Sequence, residues 1–315
     1  MTKSSQYQRI TVDASHDGQR FDNYLLSRLK HLPKSRLYRA LRSGEIRLNE
    51  RKASQQTRLH EGDIVMIPER LYAEKAQPHA VPPRVLEQVG ECSLYEDSDM
   101  MILNKPSGIA VHVGTHLHFG LIDAMKLLRP DCPQIELVHR IDRATSGCLC
   151  LAKHRQALLH LQQALIGHEF EKTYWALVKG HWASEVTQVE LPLEKVAATN
   201  QGRLMRVSEV GKPSLTQVQI VQRFSDTTLI EAKPITGRTH QIRVHTAELG
   251  HPIVGDDKYG DFELNRVLNQ QGLNRLFLHA KRLCLPMAKG GKLLAIEAPL
   301  EPRLTTFLEQ LTPKA

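Results

Sequence analysis

The sequence predicts an α+β chain of two unequal domains, and three observations carry that reading. A compact helix–helix–strand pattern fills residues 18–67. A proline-containing stretch follows, from Glu69 to Glu91. Beyond it, residues 183–233 alternate with period two between polar breaks, as antiparallel strands and hairpins do. With 315 residues, 41% of them hydrophobic, the chain can bury a sizeable core. The expected division is an N-terminal extension over 1–17, a small domain over 18–75, a linker over 76–92 and a larger domain over 93–315.

In the small domain Phe21, Leu25, Leu26 and Leu29 recur at helical spacing, and Pro33 breaks that helix. Ser35 is placed to cap a second helix over Arg36 to Arg42. There Leu37 and Leu41 share one face, while Arg36, Arg39 and Arg42 fall on another. Gly44 ends the helix, and the strand-like pieces Ile46–Leu48 and Ile64–Ile67 follow. The net charge is +8, and residues 1–80 hold 15 Lys+Arg against 9 Asp+Glu, so most of the excess lies in the first quarter. A basic surface concentrated at one end suits docking on a polyanion, nucleic acid first among them, although an ordinary solvated face reads the same way.

In the linker Pro78, Pro82 and Pro83 favour extended backbone; a loop packed across the larger domain is the alternative. Met100–Leu103 reads as a buried strand running into Asn104-Lys105-Pro106-Ser107-Gly108. His112, His116 and His118 cluster in the next loop, but no well-spaced fourth ligand accompanies them, so no metal site is expected. Ala157, Leu158, Leu161, Ala164 and Leu165 form an amphipathic helical stripe. In Lys172–Val178, alternation puts Tyr174, Ala176 and Val178 on one face; a tyrosine so placed ordinarily belongs to the core. Pro234 to His245 reads as a strand-to-helix turn. Thr239 can cap a helix whose buried side takes Ile242 and Leu249, closed by Gly250 and Pro252, and Arg238 on the turn could be aimed inward.

The stretch with most chemical content is Leu137-Val138-His139-Arg140-Ile141-Asp142-Arg143-Ala144-Thr145-Ser146-Gly147. One acid sits between two arginines, and these residues alone fit either a solvated turn or a carboxylate kept ionised by cationic neighbours. Familiar catalytic patterns are missing. There is no phosphate-binding Gly-x-x-x-x-Gly-Lys-Ser/Thr loop, no Gly-x-Gly-x-x-Gly, no Gly-x-Ser-x-Gly and no His-Glu-x-x-His. His139-Arg140-Ile141-Asp142 differs from the kinase His-Arg-Asp by an inserted residue, and no Asp-Phe-Gly follows. The five cysteines include no Cys-x-x-Cys pair, and Cys148 and Cys150 alternate within an apolar run, as buried strand residues do. No apolar run reaches the length of a membrane span, and the N-terminus lacks a signal-peptide core, so a soluble cytoplasmic protein is expected.

Two resemblances sharpen this. Gly18–Asp22, Ser35-Arg36 and Gly44–Asn49 resemble an S4 domain, a small RNA-binding module. The larger part resembles the RluA family of pseudouridine synthases. Leu137 to Gly147 matches the family's catalytic motif, with Ile141 where Leu is usual. Asn104–Gly108, Lys172–Val178, Gly237–His245 and Gly250–Ile253 match further motifs in the family's order. The layout is most similar to members acting on large-subunit ribosomal RNA.

The resemblance implies a catalytic domain on a mixed, mainly antiparallel β-sheet with flanking helices, converting uridine to pseudouridine in ribosomal RNA without cofactor or metal. It implies that Asp142 is the nucleophile and that Arg238 pairs with it. Tyr174 is to pack on the target base and assist proton removal at C5, and Arg140 is to enter the RNA stack beside the flipped nucleotide. Arg36, Arg39, Arg42 and Arg47 are the expected RNA contacts of the S4 domain. Arg143 has no assigned role. A monomer without obligate protein partner and without membrane association is expected. The chemistry suits a carboxylate, which can attack C1′ or assist elimination as the glycosidic bond breaks. Two other readings stand beside this one: a non-catalytic RNA-binding or ribosome-assembly factor, and action on transfer RNA.

Overall fold

The structure is a computed structural model that describes residues 7–29, 31–73, 81–112, 119–196, 204–287 and 292–314. The chain divides into two compact units, Met1–Ala80 and Val81–Ala315.

The first unit runs β1 (Tyr7–Thr11), α1 (Phe21–Arg28), α2 (Lys34–Ser43), β2 (Arg47–Leu48), β3 (Ile64–Pro68) and α3 (Glu69–Ala73). Both β1 and β2 pair antiparallel with β3. Phe21, Leu25, Leu29, Leu37 and Leu41 bury the facing sides of α1 and α2 against Val65 and Ile67 of β3, so helical spacing and strand alternation meet in one small core. Residues 7–11, expected to belong to an extension, instead form β1, which completes the sheet. Ser35 is not the cap of α2. The helix begins two residues earlier, at Lys34 after Pro33, whose fixed φ suits the entry, and no side chain caps it. Gly44 ends it at φ 74 and donates to the carbonyls of Ala40 and Leu41.

The second unit begins within the stretch assigned to the linker. Pro83–Gly90 forms helix α4, with proline in the first turn where its missing N–H costs nothing. Val81 and Val89 are buried in the larger core, so the alternative of a segment packed on that domain describes residues 81–92. The chain continues through β4 (Ser93–Glu96), β5 (Met100–Lys105), α5 (Leu121–Leu128), β6 (Glu136–Leu137), β7 (Ser146–Ala152), α6 (Arg155–Ile166) and β8 (Glu171–Lys179). Next come β9 (Gln188–Glu190), β10 (Leu193–Lys195), β11 (Met205–Val207), β12 (Leu215–Arg223), β13 (Thr227–Pro234) and α7 (Gln241–Glu248). Helix α8 (Phe262–Gln270), β14 (Leu278–Pro286), β15 (Leu293–Glu297) and α9 (Pro302–Gln310) complete it.

Ten of these strands form one sheet with the order β4-β5-β7-β14-β8-β13-β12-β9, β15 pairing with β14 and β6 with β7. The pairs are antiparallel except β7 with β14, where His279 lies opposite Ser146 and Ala280 opposite Gly147, so the sheet is mixed. Every residue of β7 is buried, Cys148 and Cys150 included. Helix α6 buries Ala157, Leu158, Leu161 and Ala164, and the hairpin β12–β13 supplies the alternating stretch near residue 220.

Strand register sets up the centre of the sheet. Gly147, Ala280, Tyr174 and Ala232 lie in one cross-strand row over β7, β14, β8 and β13. Tyr174 thus stands between two alanines, with Gly147 beyond Ala280. Gly147 has φ 103, and a Cβ there would come within 2.3 Å of the Ala280 carbonyl oxygen, so only glycine lets β7 approach β14 this closely.

Helix α7 departs most from expectation. Thr239 does not cap it and Leu249 is 40% exposed. Instead His240 precedes the helix at φ 55, ψ 20, and Gln241 to Thr246 are all buried. Gln241 Oε1 accepts from Arg238 N and Thr236 Oγ1, holding the turn from inside the helix. A helix enclosed on all sides buries its polar residues too, and these must find partners.

Candidate active site

Asp142 lies on the loop between β6 and β7, and that loop is laced to the chain behind it. Thr145 N donates to Asp142 O at 3.1 Å, and Gly108 N to Arg143 O at 2.9 Å. Arg143, without a role from sequence, donates from Nε to Gly108 O at 2.8 Å. Ser107 Oγ donates to Ala144 O at 2.7 Å. The amine of Lys105, wholly buried, donates to the carbonyls of Pro106, Ile109 and Arg143. Burial, with the nearby Arg275 charge, pushes Lys105 down to about 7 against the pull of Glu301 and Asp142. Arg275 donates to Ser146 Oγ at 3.0 Å and pairs with Glu301, which accepts from Ser107 N. The Asn104–Gly108 motif is therefore the seat of the Asp142 loop.

The Asp142 carboxylate, 18% exposed, faces two groups of α7 and its approach: Arg243 Nη1 at 3.5 Å and His240 Nε2 at 3.8 Å, both from Oδ2. This corrects the pairing expected from sequence, since the guanidinium beside Asp142 is that of Arg243 and not of Arg238. Arg243 is itself clamped. Its Nε and Nη2 donate to Asp256 at 2.7 and 2.6 Å, and Nη2 to Asp257 at 3.1 Å. Burial works to lower its pKa, but hydrogen bonds and charge from Asp256 raise it above the ordinary arginine value. Burial likewise works to raise the Asp256 carboxyl, and the Arg243 bonds hold it below its usual range. Burial pushes His240 down to about 4, outweighing the Asp142 charge, so at neutral pH it meets Asp142 as a neutral ring.

These groups open on a cleft of about 120 Å³ whose lining includes Arg140, Asp142, Lys172, Tyr174, Arg238 and Arg243. Tyr174 is buried, and burial, then the Asp142 charge, raises its phenol above the ordinary value. Arg238 lies at the exposed rim and donates from Nε to Pro213 O. Arg140 is exposed. Lys172 is half-buried, its pKa lowered by burial, and no described carboxylate lies within ion-pair distance. The cleft thus offers several cations and one acid, Asp142.

In the first unit Arg39, Arg42 and Arg47 are exposed. Arg47 lies over the Tyr7 ring at 5.9 Å. Arg36 is held by Glu45 at 2.9 Å, and Glu45 also pairs with Arg70. His116 and His118 lie outside the described residues. Among the described residues no group of three or more His, Cys, Asp or Glu side chains converges as metal ligands would, and no helix is long and apolar enough to cross a membrane.

Sequence reasoning missed Arg243 and His240. A signal was available: Gln241-Ile242-Arg243-Val244-His245 has no polar face, so its charges needed buried partners, and Gly255-Asp256-Asp257 supplied the acids.

Residues 99–248 match the family model described as RNA pseudouridylate synthase. The chain is similar to the ribosomal large subunit pseudouridine synthase C of Vibrio cholerae, 46% identical over 310 residues, covering 98% of each. It is also similar to the protein of that name from Escherichia coli, 44% identical over 314 residues, again 98% of each. Among solved structures, human RNA pseudouridylate synthase domain containing 1 superposes with a TM-score of 0.58 at 25% identity, over 71% of this chain and 88% of that one.

Proposed function

The chain belongs to the RNA pseudouridylate synthase family, and from that premise we propose that it isomerises uridines of large-subunit ribosomal RNA to pseudouridine with Asp142 as the reacting acid. The observation that carries the assignment is the Asp142 carboxylate, on a loop fixed from behind, facing the Arg243 guanidinium in a cleft walled by Tyr174.

The reaction breaks the N1–C1′ bond, turns the uracil, and forms a C5–C1′ bond; C5 loses a proton and N1 gains one. Substrate and product are isomers, so no oxidant or reductant enters the balance. A carboxylate facing a guanidinium is aimed, able to attack C1′ or assist departure of the base. The base must first leave its stack, at a cost of about a few kcal/mol, and Arg140 at the exposed rim is the side chain to fill the gap. Tyr174 provides the wall on which the uracil packs. Its raised pKa leaves little phenolate at neutral pH, which weakens the expectation that it removes the C5 proton. Arg238 and Lys172 face the phosphates. Water must be kept from the sugar, where it would release uracil and leave an abasic site.

The first unit serves, in this proposal, as the S4-type module, with Arg39, Arg42 and Arg47 on RNA and Arg36 bracing Glu45. The enzyme acts in the cytoplasm as a monomer, without cofactor or metal. Asp142→Asn tests the central claim: isomerisation of a ribosomal RNA fragment should vanish while RNA affinity stays within about threefold of wild type. Near-normal turnover would sink it. Pseudouridine mapping of total RNA, with and without the protein, separates ribosomal from transfer RNA as substrate, and no change in any RNA would favour a non-catalytic assembly factor.

A further inference from the structure

Two hydrogen bonds lead to the ring that faces the Asp142 carboxylate. Met205 N–H in β11 donates to Tyr259 Oη at 2.9 Å, and that oxygen lies 2.7 Å from His240 Nδ1. The other ring nitrogen, Nε2, is the one that faces Asp142 Oδ2 at 3.8 Å.

Donor bookkeeping points to one placement of the protons. An amide only donates, so Tyr259 Oη accepts from Met205. The phenol keeps its own proton, because burial raises its pKa, and the acceptor in reach is His240 Nδ1. A neutral imidazole whose Nδ1 accepts must carry hydrogen on Nε2. The tautomer sets the sign of the contact with Asp142: an N–H dipole attracts the carboxylate, whereas a lone pair would repel it. The charged groups facing the ring are Asp142, Arg243, Lys258 and Asp256. His240 is further held at φ 55, a left-handed conformation uncommon outside glycine and of the kind that clusters at functional sites. Both His240 and Arg243 address Oδ2.

Resting on the reading of Asp142 as the reacting acid, we propose that Tyr259 and His240 are positioning residues that form a tautomer lock. Tyr259 holds His240 with hydrogen on Nε2, His240 and Arg243 together grip Oδ2, and Oδ1 is left to the target nucleotide. The same chain links strand β11 to the nucleophile through Met205.

The test uses the full chain labelled with ¹⁵N-histidine, and pairs imidazole NMR with single-turnover kinetics. Wild type should show the Nε2–H tautomer for His240 at pH 7. Tyr259→Phe should move it towards Nδ1–H and lower kcat about tenfold or more, with the KM for RNA within about twofold. His240→Gln places an amide N–H near Oδ2 with no tautomer to set. It should retain more turnover than His240→Leu at equal thermal stability, and adding Tyr259→Phe to it should change kcat by less than about twofold. A wild-type His240 that is Nδ1–H or charged at pH 7 would overturn the lock, as would equal losses from Tyr259→Phe in both backgrounds. The NMR readout needs no turnover, so an active Asp142→Asn enzyme would end the assignment of Asp142 without deciding the tautomer.

Discussion

Arg243 and Arg238 make opposite predictions when removed, and the difference follows from burial. Arg243 is 3% exposed and Asp256 0%, and two short bonds join them. Replacing Arg243 with Leu leaves Asp256 as an uncompensated buried charge and frees Asp142 and Asp257. Breaking a buried pair in this way costs about 3–5 kcal/mol. For a unit of this size each kcal/mol shifts the melting temperature by about 2–4 °C, so a fall of about 6–20 °C is expected. Arg243→Lys keeps the charge but loses the two-pronged grip. It should fold and lose turnover by about 10- to 150-fold, the worth of one hydrogen bond to a charged group. Arg238→Ala removes one bond from an exposed side chain, so stability should change by less than about 0.5 kcal/mol while RNA affinity falls. Thermal unfolding and single-turnover isomerisation on the same preparations decide the matter. An unchanged melting point for Arg243→Leu, or a larger turnover loss for Arg238→Ala than for Arg243→Lys, would refute the reasoning.

Three further outcomes are expected. Burial holds His139, His240 and His279 at about 3, 4 and 4, below the ordinary 6.5. Between those values the unfolded chain binds more protons, so stability rises with pH and is lost as pH falls below 6.5, by up to about 1.4 kcal/mol per unit for each ring; equal denaturant midpoints at pH 6.5 and 5.0 would contradict this. Gly147→Ala combines φ 103 with a Cβ 2.3 Å from Ala280 O and should destabilise by about 2–5 kcal/mol in urea unfolding, whereas a change under about 0.5 kcal/mol would show that β7 can move aside. Replacing exposed Arg39 and Arg42 with Gln should lower the log–log salt slope of RNA binding by about 1.4–1.8 if each meets a phosphate, and an unaltered slope would remove them from the RNA contacts.

Local features were the legible ones. The spacing of Phe21, Leu25, Leu29 and Leu37 placed α1 and α2 because apolar period reflects which face is buried. The alternation around Val218 and Ile220 placed the β12–β13 hairpin for the same reason. Asp142 stood out as one acid in an unusual setting. Choosing between Arg238 and Arg243 needed the phase of α7, and that phase depends on His240 adopting a left-handed backbone that no propensity favours strongly. Residues 7–11 and 83–90 were misread because a short polar strand and a proline-started helix resemble an extension and a linker until their partners are present.

What separates the Asp142 loop from an ordinary charged turn is the ground behind it. Lys105 comes 37 positions earlier in the sequence, and nothing local to either segment indicates that they meet. Burying an amine opposes folding, as its displacement to about 7 records. Its three carbonyl partners, one of them Arg143 O beside the nucleophile, offset that opposition only while the Pro106–Gly108 turn and the Asp142 loop stay in register. A displaced loop would leave both the amine and the carbonyls unsatisfied, so the cost of the buried charge becomes a penalty on misplacing Asp142. Arg275 and Glu301 extend the same constraint to Ser107 and Ser146. One face of the carboxylate's setting is thus fixed through its backbone by the Asn104–Gly108 turn, and the other through its oxygen by α7. A reacting acid needs both, since a charge-assisted contact aims a side chain only when the backbone beneath it does not move.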